Sequence, residues 1–180
     1  MKKRITKVTT KTGDDGSTGM ADGTRLKKSD PIIHCIGEID ELNSLIGYLA
    51  SANDLKRHKE SLIRIQNCLF NIGGSLSLGS DDSITEQEIS FVEEEINLLN
   101  ADLSSLENFI LPGGHPTSAL AQLVRSVCRR CERSLVTLDE KQSIEERKII
   151  YMNRLSDLFF IMARSINKDK NCQEVLWQQT

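Results

Sequence analysis

The chain has 180 residues, of which 38% are hydrophobic and 27% charged, and its formal net charge is −3. This length favours one domain, and the composition excludes disordered and fibrous proteins. The negative charge argues against general nucleic-acid binding.

No apolar run approaches the ~18 residues of a membrane span. The N-terminus lacks the apolar stretch of a secretory signal, and the five Cys are odd in number and irregularly spaced. We therefore expect no membrane association and a cytoplasmic protein.

Residues 1–30 form a polar arm with eight Lys or Arg against four Asp, whereas the rest of the chain is acidic. Gly13, Gly16 and Gly19 recur at every third position. Such spacing lets successive backbone N–H groups point the same way, which is typical of an anion-binding nest. We predict a loop here, with at most a short strand near its start. Two interpretations stay open: an arm that binds phosphate, and a solvated, mobile tail.

Five amphipathic segments follow the arm. Apolar residues recur at helical spacing over residues 31 to about 52, 55–76, 89–99, 116–139 and 144–167. Short polar or glycine-containing breaks separate these segments. The pattern predicts an all-α fold, a five-helix up-and-down bundle that carries the glycine-bearing arm at its N-terminus.

The fourth segment contains four arginines within nine residues, and three of them lie four positions apart on one helical stripe. Like charges at this spacing destabilise an isolated helix, so the stripe favours an anion opposite it. The guanidinium group also suits two-point contacts with phosphate or carboxylate. The alternative is a solvated charged face, with Glu132 compensating part of the charge. The stripe consists of Arg125, Arg129 and Arg133, with Arg130 beside it.

Two other segments carry polar groups at helical spacing. The three carboxylates of residues 37–43 could hold a metal, act as bases or pair with arginines, and pairing needs the fewest assumptions. We predict that Asp40 pairs with an arginine of the fourth helix, Arg129 being the better candidate, within or between subunits. Asn153 and Asp157 share a face of the fifth segment. They indicate either a hydrogen-bonding line at a groove or exposed polar residues.

Five motifs, in order along the chain, resemble those of the PduO-type ATP:cob(I)alamin adenosyltransferases. The resemblance spans about residues 6–177. It implies a homotrimer with active sites between adjacent subunits. It also implies transfer of the 5′-deoxyadenosyl group of ATP to Co(I) of cobalamin, with release of tripolyphosphate. The motifs are Thr10-x-Thr-Gly-Asp-x-Gly-x-Thr18, Asp40-Glu-Leu-Asn43, Pro112-Gly-Gly114, Arg125-x-x-Cys-Arg-Arg-x-Glu-Arg133 and Asn153-Arg-Leu-Ser-Asp157.

The resemblance also implies roles for individual residues. Arg129, Arg133 and Asn153 would act in catalysis, and Phe109 would contact cobalamin and exclude its lower axial ligand. The pairing of Asp40 with Arg129, predicted above from the residues themselves, would be the subunit salt bridge. No residue is assigned as a ligand of a protein-bound metal. The site for ATP, with its Mg²⁺, would consist of Thr10, Lys11, Thr12, Gly13, Thr18, Lys28, Arg129, Arg130, Glu132, Arg133 and Asn153.

By the same resemblance the chain is one adenosyltransferase domain. Residues 1–30 would be the ATP-binding arm, 31–169 the helical bundle and 170–180 a C-terminal tail. A corrinoid reductase and an adenosylcobalamin-dependent mutase are the implied partners. Two positions depart from the family pattern: Gln122 stands where a His is frequent, and Ile32 where an Arg is frequent. The alternative function is therefore a non-catalytic ATP- or corrinoid-binding helical bundle that acts as a sensor or chaperone.

Overall fold

Five helices form the body of the protein in a computed structural model that describes residues 9–179. This architecture confirms the predicted helical bundle. Two of the helices begin with proline after a capping side chain: Asp30 accepts from the Ile32 amide, and His115 accepts from the Thr117 amide. The helices are α1 (Pro31–Ala50), α2 (Lys59–Leu78), α3 (Glu86–Asn100), α4 (Pro116–Asp139) and α5 (Glu146–Asp169).

Helix α4 lies at the centre of the bundle. It packs against α1 on one side and α5 on the other, α2 packs on α1, and α3 packs on α5. Most residues at the predicted helical spacing are buried, and Leu42, Val124 and Leu155 are fully so, whereas Leu123 is exposed. Within the described residues, no helix is both long and apolar enough to cross a membrane.

Some predicted helix ends differ from the structure. The second segment was expected from Leu55, but Asn53–His58 is a 3-10 helix and α2 begins at Lys59. Leu55 is buried there, which extended the apolar pattern beyond the α-helix. Helix α2 runs through the Gly73-Gly74 pair and ends at Gly79, whose φ of 65° is left-handed. Helix α5 begins two residues later than expected.

The arm contains a hairpin that the sequence analysis did not predict. Strands β1 (Ser17–Gly19) and β2 (Arg25–Lys27) pair antiparallel. In the connecting turn, Gly23 has a φ of 90°, and the Asp22 carboxylate accepts from the Thr24 amide and hydroxyl at 2.9 and 2.7 Å. Three-residue strands are too short to give a readable alternation. The start of the arm, where a short strand was expected, falls in residues 1–8, outside the described residues.

Candidate functional site

The glycine-bearing turn of the arm folds back onto the hairpin through two cations. Lys28 Nζ donates to the Gly13 carbonyl at 2.9 Å, and Arg25 Nη2 donates to the Thr12 carbonyl at 2.5 Å. Lys11 has a left-handed φ of 59° and an exposed side chain. These two hydrogen bonds hold the backbone of the turn in place, and the Lys11 side chain extends from it into solvent.

The other predicted arm residues lie in the same turn and hairpin. The Thr10 and Thr12 hydroxyls lie 3.0 Å apart, and Thr18 lies in β1. The hairpin is fixed to the end of α2, because the Ala21 amide donates to the Ser77 carbonyl at 3.1 Å and to its hydroxyl at 2.9 Å. The arm thus sits on the bundle beside α2.

The arginines of α4 face different neighbours. Arg129 and Arg133 are exposed, and Arg133 Nη1 donates to the Arg129 carbonyl at 3.0 Å. Arg130 turns towards α1, where its Nε lies 3.4 Å from Glu38 Oε1 and its Nη2 bonds Glu41. The Arg130 guanidinium therefore lies on the side of α4 that faces α1, apart from the exposed Arg129 and Arg133.

Within one chain, the partner of the acidic turn is Arg130 rather than Arg129. Asp40 is exposed and makes no ion pair with residues 9–179. The expected pairing of Asp40 with Arg129, within or between subunits, stays a prediction. Arg130 meets the acidic turn because of the helix phase: Cys131 of α4 packs on α1, with its Sγ 3.1 Å from the Glu38 carbonyl, and this places Arg130 at the α1 side.

Asn153 and Glu132 meet between α5 and α4. Asn153 Nδ2 donates to Glu132 Oε1 at 3.0 Å, and its Oδ1 accepts from Arg154 Nη1 at 3.1 Å. Arg154 is held in turn by Glu93 of α3 at 2.7 Å. The chain of contacts fixes the Asn153 amide, and it joins two of the residues that the resemblance assigns to the ATP side.

A cavity of about 610 Å³ opens between α4, α5 and the loop that precedes α4, and neither Asn153 nor Glu132 is among its lining residues. Its volume lies in the range of small-molecule and cofactor sites. Phe109 lines the edge of the cavity and is 77% exposed, and Arg129 lines the same cavity. Apolar and charged side chains both line the cavity. The lining comes from the loop residues 106–110 and from Arg125, Arg129, Ser156, Asp157 and Phe160 of the two helices.

Gln122 orients one of the lining arginines. It is buried, and its Oε1 accepts from Arg125 Nε at 2.8 Å. The Arg125 guanidinium carbon lies 5.8 Å from the centre of the Phe160 ring. Burial, and then the neighbouring Arg129 charge, lower the pKa of Arg125 below its ordinary value. Gln122 thus supplies a fixed acceptor at the position where the family often has His.

The C-terminal tail packs on the loop that lines the cavity, a contact that was not predicted from the sequence. Asn108 Nδ2 donates to the Trp177 carbonyl at 2.8 Å, and the Trp177 amide donates to the Phe109 carbonyl at 2.7 Å. The two rings meet edge to face, 6.4 Å apart at 71°. The one available signal was the apolar run 175–177 at the end of a polar tail.

Asn167 holds the turn that follows Phe109. Its Oδ1 accepts from the His115 amide at 2.9 Å, and its Nδ2 donates to the Gly113 carbonyl at 3.1 Å. Gly114 has a φ of 90°, and a Cβ there would lie 2.3 Å from Asn167 Oδ1. Gly114 of the Pro-Gly-Gly motif is therefore a backbone requirement of this turn.

Residues 9–179 contain no group of three or more His, Cys, Asp or Glu that could hold a metal ion.

A helical bundle with a glycine-bearing arm and an aromatic-edged cavity defines the class, and comparison with known proteins gives the family. The sequence profile described as Cobalamin adenosyltransferase matches residues 8–166, and the chain belongs to this family. It is 41% identical to a cobalamin adenosyltransferase of Cupriavidus metallidurans, with 99% of this chain and 98% of that protein aligned. It is 37% identical to a corrinoid adenosyltransferase of Bacillus subtilis, over 97% and 93% of the two chains.

A solved structure has the same fold. It is a variant of the PduO-type ATP:corrinoid adenosyltransferase of Lactobacillus reuteri, complexed with cobalamin and ATP. The TM-score is 0.90 at 33% identity, and the match covers 96% of this chain and 100% of that one. The match confirms the resemblance found in the sequence.

Proposed function

We propose that the protein transfers the 5′-deoxyadenosyl group of ATP to Co(I) of cobalamin, forming adenosylcobalamin and tripolyphosphate. The observation that carries the proposal is the cavity that Arg129 and Phe109 line together. It sets a cation suited to phosphate beside an exposed aromatic suited to a corrin ring. The Lactobacillus reuteri protein, of the same fold, was solved with cobalamin and ATP.

The reaction needs no nucleophile from the protein. The electron pair of Co(I) attacks C5′ of the ribose, the C5′–O bond breaks, and that bond's electron pair leaves with tripolyphosphate. The cobalt supplies the difficult chemistry. The protein stabilises the charge on the leaving group and holds C5′ in line with cobalt. Arg129, Arg133 and Lys28 would supply the positive charge.

The ATP side would draw on both the arm and α4. Thr10, Lys11, Thr12, Gly13 and Thr18 would surround the phosphates. Mg²⁺ would enter with ATP, since it is usually held by phosphate oxygens, one or two carboxylates and water. On the bundle, the ATP side would consist of Arg129, Arg130, Glu132, Arg133 and Asn153.

We further propose a homotrimer in which the arm of one subunit closes over α4 of the next. The arm is fixed beside α2, whereas Arg129 faces the cavity between α4 and α5, and this separation supports a site shared by two subunits. A groove of about 200 Å³ between α1 and α2 offers a surface for the neighbour. Phe70 is 70% exposed there, and Asp40 lies at the groove, available to a partner's arginine.

Phe109 would form the wall that faces the corrin. Its exposed ring would exclude water and the lower axial ligand from Co(II), which makes reduction to Co(I) easier. The chain would act as one domain, with the arm at 1–30, the bundle at 31–169 and the tail at 170–180. A corrinoid reductase would supply the electron, an adenosylcobalamin-dependent mutase would use the product, and the setting would be the cytoplasm.

An anaerobic assay tests the proposal. Purified protein, ATP, Mg²⁺ and chemically reduced cob(I)alamin are mixed, and the Co(I) absorption is followed as adenosylcobalamin forms. Tripolyphosphate is measured in the same samples, and one should appear per adenosylcobalamin. Arg129→Ala and Asn153→Ala should abolish turnover, whereas Lys141→Ala, an exposed cation just past α4, should not. Binding of ATP and cobalamin without turnover would contradict the proposal and favour the non-catalytic bundle.

A further inference from the structure

Arg164 of α5 is buried, and its guanidinium joins two segments that lie far apart in the sequence. Its Nε donates to the two carboxylate oxygens of Glu174 at 3.0 and 3.2 Å. Its Nη2 donates to Glu174 at 3.2 Å and to the Ser104 carbonyl at 2.9 Å. The Arg164 side chain is 5% exposed and that of Glu174 is 22% exposed. One buried cation therefore ties the C-terminal tail to the start of the loop that carries Phe109.

Beyond this tie, the tail and the loop pair along their backbones. The Leu111 amide donates to the Val175 carbonyl at 2.8 Å, and the Trp177 amide donates to the Phe109 carbonyl. Their side chains contribute little burial: Phe109 is 77% exposed, Val175 60% and Trp177 43%. A two-stranded pairing without a buried face is marginal in water. The paired segments therefore need an anchor elsewhere.

Charge-assisted hydrogen bonds from a buried guanidinium are among the stronger polar contacts. Glu174 lies three residues before Trp177, and Ser104 lies five residues before Phe109, so the anchor is close to both aromatic rings. The main chain of α5 also holds the tail, since the Cys172 amide donates to the Asn167 carbonyl at 2.8 Å. The other side-chain contacts from α5, however, reach only one segment. Lys168 Nζ bonds the Asp102 carbonyl, and Asn167 bonds the turn at Gly113. Arg164 is the side chain that contacts both segments at once.

We propose that Arg164 is a positioning residue: through Glu174 it fixes the tail on the loop and so sets the place of Phe109 at the cavity edge. Its effect on the reaction rests on the proposed function. Its effect on the tail does not.

Trp177 reports on the tail directly, because it is the sole tryptophan of the chain. Glu174→Ala removes three of the four Arg164 contacts and leaves the helices intact. In the ligand-free protein we expect red-shifted emission and about a twofold rise in acrylamide quenching, since a released Trp177 would go from 43% to full exposure. Glu174→Gln keeps an acceptor and should lie between Glu174→Ala and wild type. The control Asp169→Asn removes the Arg57 ion pair at the same end of α5 without touching the tail. Unchanged emission in Glu174→Ala would overturn the proposal.

Steady-state kinetics then test the consequence for the reaction. Glu174→Ala should raise the KM for the corrinoid and lower turnover with Co(II) substrate about tenfold, while the KM for ATP stays unchanged. A general loss of folded protein would instead lower kcat and leave both KM values alone. A released Trp177 with unaltered corrinoid kinetics would refute the positioning role. An inactive wild type would refute the proposed function, and the fluorescence would still decide whether Arg164 holds the tail.

Discussion

Gly114→Ala should destabilise the protein through one identifiable contact. The new Cβ would lie 2.3 Å from Asn167 Oδ1 and 2.6 Å from its Nδ2, well inside van der Waals contact. The φ of 90° at this position is also unfavourable for any residue with a side chain. Asn167 is 4% exposed and packed into the fold, so it cannot move aside without losing its own contacts.

The magnitude follows from those contacts. A left-handed backbone costs a non-glycine residue about 1 kcal/mol. Displacing Asn167 breaks its bonds to the His115 amide and the Gly113 carbonyl, each worth about 1 kcal/mol. We expect the free energy of unfolding to fall by about 3 kcal/mol. At a urea slope of about 2 kcal/mol/M, the unfolding midpoint should drop by about 1.5 M.

Urea unfolding followed by circular dichroism measures the effect, and the neighbouring glycine is the control. A Cβ on Gly113 would meet nothing within 4 Å, so Gly113→Ala should stay near wild type. Asn167→Ala should cost much less in the Gly114→Ala background than alone, because the clash has already broken the same bonds. Equal stability of the two glycine variants, or full additivity with Asn167→Ala, would refute the reasoning.

Three further predictions address stability, assembly and the cavity. Burial lowers the pKa of His58, so the unfolded chain takes up its proton at a higher pH. The free energy of unfolding should therefore be fully retained above about pH 6.5 and fall as the pH drops towards 5, and His58→Gln should flatten that fall. Asp40→Arg and Arg129→Asp should each weaken assembly in analytical ultracentrifugation, and the double variant should restore it. Phe109→Ala should lose activity with Co(II) substrate under a weak reductant, yet change stability by less than about 1 kcal/mol because the ring is 77% exposed.

Each of these predictions has a contrary outcome. A pH profile of His58→Gln that matches wild type would place the titration on other groups. A double charge reversal that stays dissociated would remove the subunit pairing of Asp40. Full activity of Phe109→Ala with Co(II) would show that another group excludes the axial ligand.

The helical bundle could be predicted from the sequence because burial follows the apolar spacing closely. Leu42, Val124 and Leu155 lie at core positions and are fully buried. The same signal fails where burial and helix type separate, as at Leu55. It also fails for the hairpin, whose three-residue strands are held by turn and side-chain contacts rather than by an apolar face.

The candidate site was predictable in its residue types and less so in its pairings. Arg129 and Arg130 are adjacent in sequence but about 100° apart around the helix, so a small difference in helix phase decides which one meets α1. The packing of Cys131 on α1 sets that phase and places Arg130 where it forms ion pairs with Glu38 and Glu41. The tail's place at Phe109 depends on Arg164, whose buried contacts have no sequence pattern.

Subunit complementation tests most directly whether the active site is shared between two chains. Lys28→Ala would impair the arm and Asn153→Ala the bundle side, and each variant alone should be inactive in the anaerobic cob(I)alamin assay. After co-refolding in equal amounts, random assembly into trimers leaves about a quarter of the shared sites with both parts intact. The account predicts recovery of about a quarter of wild-type activity. A mixture as inactive as its components would contradict it, because a site built within one chain can never be restored by mixing.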